Sequence, residues 1–269
     1  MGYAVNSGDG ENPYIDFRHV FKAFNGTPVL EDVTFDVRRG EMVAVLGRSG
    51  VGKSVTLKHI LGFLKPDSGE VFVAGREVSI LSEEELMDVR RRATMVFQSG
   101  ALFDSLTVGE NVAYPLRERV VRGLEVSEED IEQRVDTLLA RVELEGMRDL
   151  MPSDLSTGMK RAVAMARALA AEPECILYDE PTTMVDPLMA QILGDLILKL
   201  KRQTGLTSVV VTHDMKLARK LADRLVFLVD GRVAFFGTIP EMDESTVPMV
   251  REFIELDEVC FLNQADRCP

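Results

Sequence analysis

The sequence predicts an α/β protein: a parallel sheet joined to an antiparallel β layer near the N-terminus and a helical insertion. Three observations carry that prediction. Met42-Val43-Ala44-Val45-Leu46, Glu174-Cys175-Ile176-Leu177-Tyr178 and Thr207-Ser208-Val209-Val210-Val211-Thr212 are short, mostly apolar runs, as strands buried on both faces are. Val33, Phe35 and Val37 alternate with Thr34, Asp36 and Arg38, the pattern of a sheet with one solvated face. Between residues 99 and 167, apolar residues recur at helical spacing among many charges. At 269 residues and 46% hydrophobic content, the chain can build one large domain or two small ones around a substantial core.

In chain order, residues 1–13 are polar and read as a frayed start. From Tyr14 to Val37 the chain reads as strands, with Gly26-Thr27-Pro28 as the turn. Phe24 stands before that turn, where it either packs in the core or stacks on a base; spacing alone favours the core. After Leu46 comes Gly47-Arg48-Ser49-Gly50-Val51-Gly52-Lys53-Ser54, which fits G-x-x-x-x-G-K-[ST], and Leu57, Ile60, Leu61 and Leu64 then follow at helical spacing. A strand, a glycine loop and a helix N-terminus together present backbone N–H groups and a positive dipole end to phosphate. Lys53 is suited to the β/γ phosphates and Ser54 to Mg²⁺. The loop therefore marks a nucleoside triphosphate site.

Asp67-Ser68-Gly69 reads as a turn and Val71-Phe72-Val73-Ala74-Gly75 as a short strand. Ser82 with Glu85 forms a capping box that opens a helix to about Arg91. Thr94-Met95-Val96-Phe97 is a buried-strand candidate ending in Gln98. In the insertion, Ser127 caps a helix whose apolar stripe is Ile131, Val135, Leu138, Leu139 and Val142. The strand at 174–178 then delivers Asp179 and Glu180, and Asp186-Pro187 starts a helix with Leu188, Ile192, Leu196 and Leu200 expected on its buried face. The strand at 207–212 ends at His213, and Asp230-Gly231 makes a hairpin of Leu225–Val229 and Val233–Phe236. From about Pro240 a C-terminal segment carries Val250, Phe253 and Ile254 at helical spacing, which leaves open whether it docks on its own core or on a partner.

Composition narrows the function. Asp plus Glu number 44 against 31 Lys plus Arg, a net charge of −13, which disfavours nonspecific binding to nucleic acid or anionic membrane. No apolar run approaches the roughly 20 residues of a membrane span, and the N-terminus lacks a basic stretch followed by an apolar one, so a cytoplasmic location is expected. Cys175, Cys260 and Cys268 have no ligand spacing and read as reduced thiols.

Lys53 and Ser54, Gln98, Asp179 and Glu180, and His213 all fall at the ends of core strands, where ligands bind in open α/β sheets. Asp179 is suited to holding Mg²⁺ through water and Glu180 to polarising the attacking water of an in-line displacement. With these residues stands Leu155-Ser156-Thr157-Gly158-Met159, similar to the LSGGQ sequence of ABC transporter nucleotide-binding subunits. From Tyr14 to Gly237 the chain resembles that family. The resemblance implies a RecA-like phosphate-loop core at 14–98 and 168–239, a helical subdomain at 99–167 and a C-terminal helical tail at 240–269. It implies hydrolysis of MgATP by a head-to-tail dimer that drives a membrane permease. Gly47 through Val55, including Arg48, Ser49, Gly50, Val51 and Gly52, then bind the nucleotide, and Phe24 stacks on adenine, against the reading from spacing. Glu180 is the general base; Gln98 and His213 respond to the γ-phosphate; Ser54, Gln98 and Asp179 hold Mg²⁺; Asp186 lies in the D-loop; and Ser156 and Gly158 reach the nucleotide of the second copy.

Thr157 and Met159 depart from that sequence, and Met184-Val185 replaces Gly-Leu before Asp186. A β-branched Thr157 crowds backbone approach to phosphate, which points to slower hydrolysis or to a binding switch. Phe97-Gln98-Ser99-Gly100-Ala101-Leu102-Phe103, the later Pro115-Leu116-Arg117-Glu118 and the run Val247–Ile254 resemble the Mla-type cassettes of MCE-domain phospholipid transporters. That narrower resemblance implies phospholipid cargo, an MCE-domain partner and a place on the cytoplasmic face of the inner membrane; the net charge of −13 and the single signature sequence argue against nucleic acid as a partner. The alternatives are a cassette for another cargo, such as a small-solute importer, and a soluble ABC ATPase acting on nucleic acid or ribosomes.

Overall fold

The computed structural model describes residues 12–121 and 127–255. Two sheets lie side by side. The smaller is antiparallel, in the order β2 (Thr27–Val37), β1 (Ile15–Phe24), β4 (Ser68–Val73) and β5 (Arg76–Glu77). Val33, Phe35 and Val37 are buried as their alternation predicts, and Phe17 stacks on Phe35 with ring centroids 4.5 Å apart. The larger sheet has the order β10 (Arg232–Thr238), β9 (Arg224–Val229), β3 (Met42–Leu46), β8 (Thr207–Thr212), β7 (Cys175–Asp179) and β6 (Ala93–Val96). All its neighbours are parallel except the β9–β10 hairpin.

The central strand β3 shows why its run is apolar throughout. Val43 and Val45 pack with the small sheet, α1 (Lys53–Ile60) and α2 (Glu83–Arg92). Ala44 and Leu46 pack with α7 (Met215–Leu221) and α8 (Ile239–Asp243). Met42 joins a third cluster built by α3 (Val108–Val121), α4 (Glu128–Arg141), α5 (Thr157–Ala170) and α6 (Pro187–Thr204). The capping box at Ser82 forms as read, Ser127 caps α4 and with Asp130 makes a second box, and Asp186 caps α6 with Pro187 in its first turn.

Four local expectations are corrected. The first turn is Asn25-Gly26, both at positive φ, and Pro28 lies inside β2, an edge strand where a missing N–H is tolerated. Ser68 and Gly69 belong to β4, while Ala74-Gly75 turn the chain at positive φ instead of extending it. Helix α1 stops at Ile60, before Leu64, because Gly62 adopts the left-handed conformation that closes helices. Leu188 and Ile192 are 68% and 44% exposed, and α6 buries Leu193, Leu196, Ile197 and Leu200. Steps of four residues advance 400° each, so a run at 188, 192, 196 and 200 drifts across the helix and cannot hold one face.

Residues 248–255 are helical and dock on the chain's own core: Val250 and Ile254 are buried in the cluster with Leu46, and Phe253 meets Phe227 edge-on at 4.9 Å. Cys175 is a buried free thiol, and Cys260 and Cys268 lie outside the described residues. No helix among the described residues is long and apolar enough to cross a membrane.

One buried group makes the fold sensitive to acid. His59 Nδ1 donates to the Val55 carbonyl at 2.7 Å, leaving Nε2 without a partner among the described residues. Burial holds this imidazole below the ordinary value of 6.5. The unfolded chain therefore takes up a proton, as pH falls through that value, that the folded chain refuses, and stability drops. The unfolding free energy is expected to fall between about pH 7.5 and 5.5, by up to about 1.4 kcal/mol per pH unit from this group, and the denaturant midpoint with it. His59→Phe should flatten that dependence in equilibrium unfolding; an unchanged slope would rule His59 out as its source.

Candidate functional site

The site follows from sheet register. Leu46 lies opposite Thr212 and Asp179 opposite Val211, so the parallel strands end at nearly one level and deliver Gly47, Glu180 and His213 to one edge. These ends surround a cavity of about 310 Å³ lined by residues of the phosphate loop, Gln98, Glu180, Thr183 and His213. The four strand ends expected to converge do converge.

The loop wraps its own lysine. Lys53 is 5% exposed, and its Nζ donates to the carbonyls of Gly47 at 2.9 Å and Arg48 at 3.1 Å. The same ammonium stands 3.3 Å from Glu180 Oε1. Gly52 closes the loop at φ 101°, and a Cβ there would lie 2.6 Å from Leu30 Cδ2 and 2.9 Å from the Val29 carbonyl. Only glycine meets both conditions.

Ser54 Oγ donates to Asp179 Oδ1 at 2.8 Å, and burial pushes the Asp179 carboxyl above the usual carboxylate range. Glu180 is held on both oxygens: Oε2 accepts the Thr183 hydroxyl at 2.8 Å and faces His213 Nδ1 at 2.7 Å, while Oε1 faces Lys53. Its backbone sits in the left-handed region at φ 48°, a strained conformation of the kind that concentrates at functional sites.

Other candidates stand apart from this cavity. Phe24 ends β1 at the hairpin tip and is 40% exposed, which sets aside the core-packing reading; the partner strand β2 supplies Val29 to the cavity. Arg48 points outward to Glu252 of the C-terminal helical segment at 3.1 Å. Ser156 caps α5 by accepting from Met159 N, and Asp186 caps α6 by accepting from Met189 N; both are exposed and neither lines the cavity. Gly158 is buried, and a Cβ on it would displace the Met189 side chain that packs over it. Thr157 is exposed at the first position of α5.

Thr183 and Val29 were not picked out from the sequence. Thr183 bears on Glu180 through a loop whose path no periodicity reveals, although a hydroxyl three residues beyond a carboxylate pair was visible. Arg161 was also missed: an arginine in a helix of alternating small and apolar residues, it is 2% exposed.

A phosphate loop closed on a buried lysine, with a carboxylate pair and a histidine on neighbouring strand ends, defines a nucleoside-triphosphate hydrolase of the phosphate-loop class. The sequence pattern of the ABC transporter family matches residues 30–183. The chain belongs to that family and is the ATP-binding, ATP-hydrolysing subunit of an ABC transporter.

Among its relatives, protein TRIGALACTOSYLDIACYLGLYCEROL 3 of Arabidopsis thaliana, chloroplastic, is 40% identical over 256 residues, covering 89% of this chain and 72% of the relative. The intermembrane phospholipid transport system ATP-binding protein MlaF of Escherichia coli K12 is 37% identical over 241 residues, covering 90% and 88%. The methionine import ATP-binding protein MetN of Geobacillus kaustophilus is 36% identical over 245 residues, covering 89% and 70%. The solved dimer of the ATP-binding cassette MJ0796 in a post-hydrolysis state with ADP and Pi superimposes with a TM-score of 0.76 at 34% identity, over 84% of this chain and 98% of that one.

Gly52→Ala tests the loop geometry. The added methyl meets strain and backbone together, and a loss of about 2 kcal/mol of stability is expected along with most of the affinity for ATP. Chemical denaturation and binding of a fluorescent ATP analogue measure the two; wild-type affinity would show that the loop does not hold the phosphates.

Proposed function

We propose that Glu180 is the general base of ATP hydrolysis, with Lys53 and the Gly47–Val55 backbone holding the phosphates and Phe24 stacking on adenine. The observation that carries this reading is the joint hold on Glu180 by Lys53, Thr183 and His213 at the edge of the phosphate-loop cavity. His213 and Gln98 sense the γ-phosphate from the same cavity. The hydroxyl of Ser54 and the carboxylate of Asp179 are adjacent hard oxygen donors, and with Gln98 they fit Mg²⁺, which takes few protein ligands and completes its shell with phosphate and water. When bound, Mg²⁺ neutralises charge developing on the phosphate oxygens.

Ser156, Gly158 and Asp186 do not line this chain's cavity, which supports a second copy docked head to tail as the completing surface; the relative MJ0796 is dimeric. In this reading 14–98 and 168–239 form the ATPase core, 99–167 the helical subdomain that offers α5 to the second nucleotide, and 240–269 the tail. Closure of the dimer works a membrane permease, which places the chain peripherally on the cytoplasmic face of the inner membrane. Phospholipid is the cargo we favour, with an MCE-domain partner, and the likeness to MlaF across 90% of the chain supports it. The likeness to MetN favours a small-solute importer as the second reading.

Glu180→Gln should lower steady-state hydrolysis by about 10²-fold or more with ATP binding retained, the size expected for loss of a general base. Hydrolysis at the wild-type rate would remove Glu180 from that role. For the cargo, the tagged chain is captured from detergent-solubilised membranes and its proteins and lipids are identified by mass spectrometry. A permease, an MCE-domain protein and bound phospholipid are expected together; a different permease without them would discard the lipid reading.

A further inference from the structure

Arg161 lies in the second turn of α5, enclosed by protein, and nothing in the proposed chemistry uses it. Its partners are backbone carbonyls: Nη1 donates to Pro181 O at 2.6 Å, Nη2 donates to Thr183 O, and Nε has no acceptor among the described residues. A guanidinium placed this way is poorly compensated, and an apolar side chain of similar volume would fill the space at lower cost to stability. Packing alone therefore does not account for it.

What it grips is the segment that follows the proposed base. Glu180 and Met184 bracket the gripped stretch, and both are in the left-handed region, at φ 48° and 63°. Two such residues within five positions leave the intervening loop dependent on outside contacts for its shape. Arg161 supplies two of them, on the carbonyls flanking Thr182. The Thr183 hydroxyl in turn donates to Glu180 Oε2, the oxygen that also faces His213. Two hydrogen bonds, joined through the covalent frame of Thr183, thus link the interior of α5 to the carboxylate in the cavity.

We propose that Arg161 is a positioning residue for hydrolysis: by holding the Pro181 and Thr183 carbonyls it fixes the Thr183 hydroxyl, and through it Glu180, so that the seating of α5 sets the aim of the base. This rests on Glu180 as the base. The arginine does not line the phosphate-loop cavity; it acts on the loop. A displacement of about 1 Å at a reacting group costs on the order of 10²-fold in rate, which sets the scale of the effect.

The test uses the transporter complex purified through a tag on the full-length chain. Arg161→Met keeps the apolar stem and removes both hydrogen bonds; Arg161→Lys keeps the charge and can satisfy one carbonyl. Arg161→Met is expected to lower kcat by about 10- to 100-fold while the dissociation constant for a fluorescent ATP analogue changes by less than about threefold, and Arg161→Lys should recover part of kcat. Thr183→Val should lower kcat as well, and the double variant Arg161→Met with Thr183→Val should fall no further than the worse single variant, because both act along one path. Wild-type kcat in Arg161→Met, additive losses in the double variant, or nucleotide affinity falling in parallel with kcat would each overturn the proposal. If Arg161→Met does not fold, Arg161→Lys decides: reduced kcat at retained affinity supports the proposal and wild-type kcat overturns it. Glu180→Gln, measured alongside, separates the two levels. Its activity at the wild-type rate would sink the base itself, whereas its inactivity with wild-type kcat in Arg161→Met would sink only the arginine.

Discussion

A lysine ammonium almost wholly enclosed by protein is the constraint on which this structure turns. Removing such a charge from water costs several kcal/mol unless oxygen atoms surround it. Here the Gly47 and Arg48 carbonyls and Glu180 do so. For those carbonyls to reach Lys53, the chain leaving β3 must fold back over the first turn of the helix it is about to enter. That path passes through left-handed backbone at Gly50 and Gly52. The loop, the start of α1 and the placement of Glu180 are thus consequences of housing one charge.

The parallel sheet makes the housing possible. Parallel strands in register end at one edge, so residues far apart in sequence arrive together without a long loop to carry them. Ser54 and Asp179 are 125 positions apart and share a hydrogen bond of 2.8 Å. The strands hold that register because each is packed on both faces, β3 alone contributing to all three apolar clusters. A slip of one residue would invert every side chain, and the site would disperse with the core.

Around this edge the helices do two kinds of work. Helix α1 completes the phosphate loop. Helices α5 and α6 begin at exposed caps, Ser156 and Asp186, outside the cavity, and they touch each other where Gly158 meets Met189. The same α5 reaches back through Arg161 to the loop after Glu180. Its outward end and its buried turn therefore lie on one helix, five residues apart from cap to arginine.

By itself the sequence determined the strands, the phosphate loop, the caps at Ser82, Ser127 and Asp186, and the set of polar residues at strand ends. Each of these is a local matter, settled by side-chain period, by a glycine's freedom or by a side-chain oxygen three residues from an N–H. Tertiary structure decided the rest. It moved the buried face of α6 from Leu188 and Ile192 to Leu193 and Ile197, since which face is covered depends on the neighbour that covers it. It exposed Phe24, laid the 248–255 helix on β9, brought the Thr183 hydroxyl onto Glu180 and set Arg161 on the Pro181 and Thr183 carbonyls. Those outcomes rest on contacts between segments that share no pattern in sequence, and only the folded chain brings their atoms within reach.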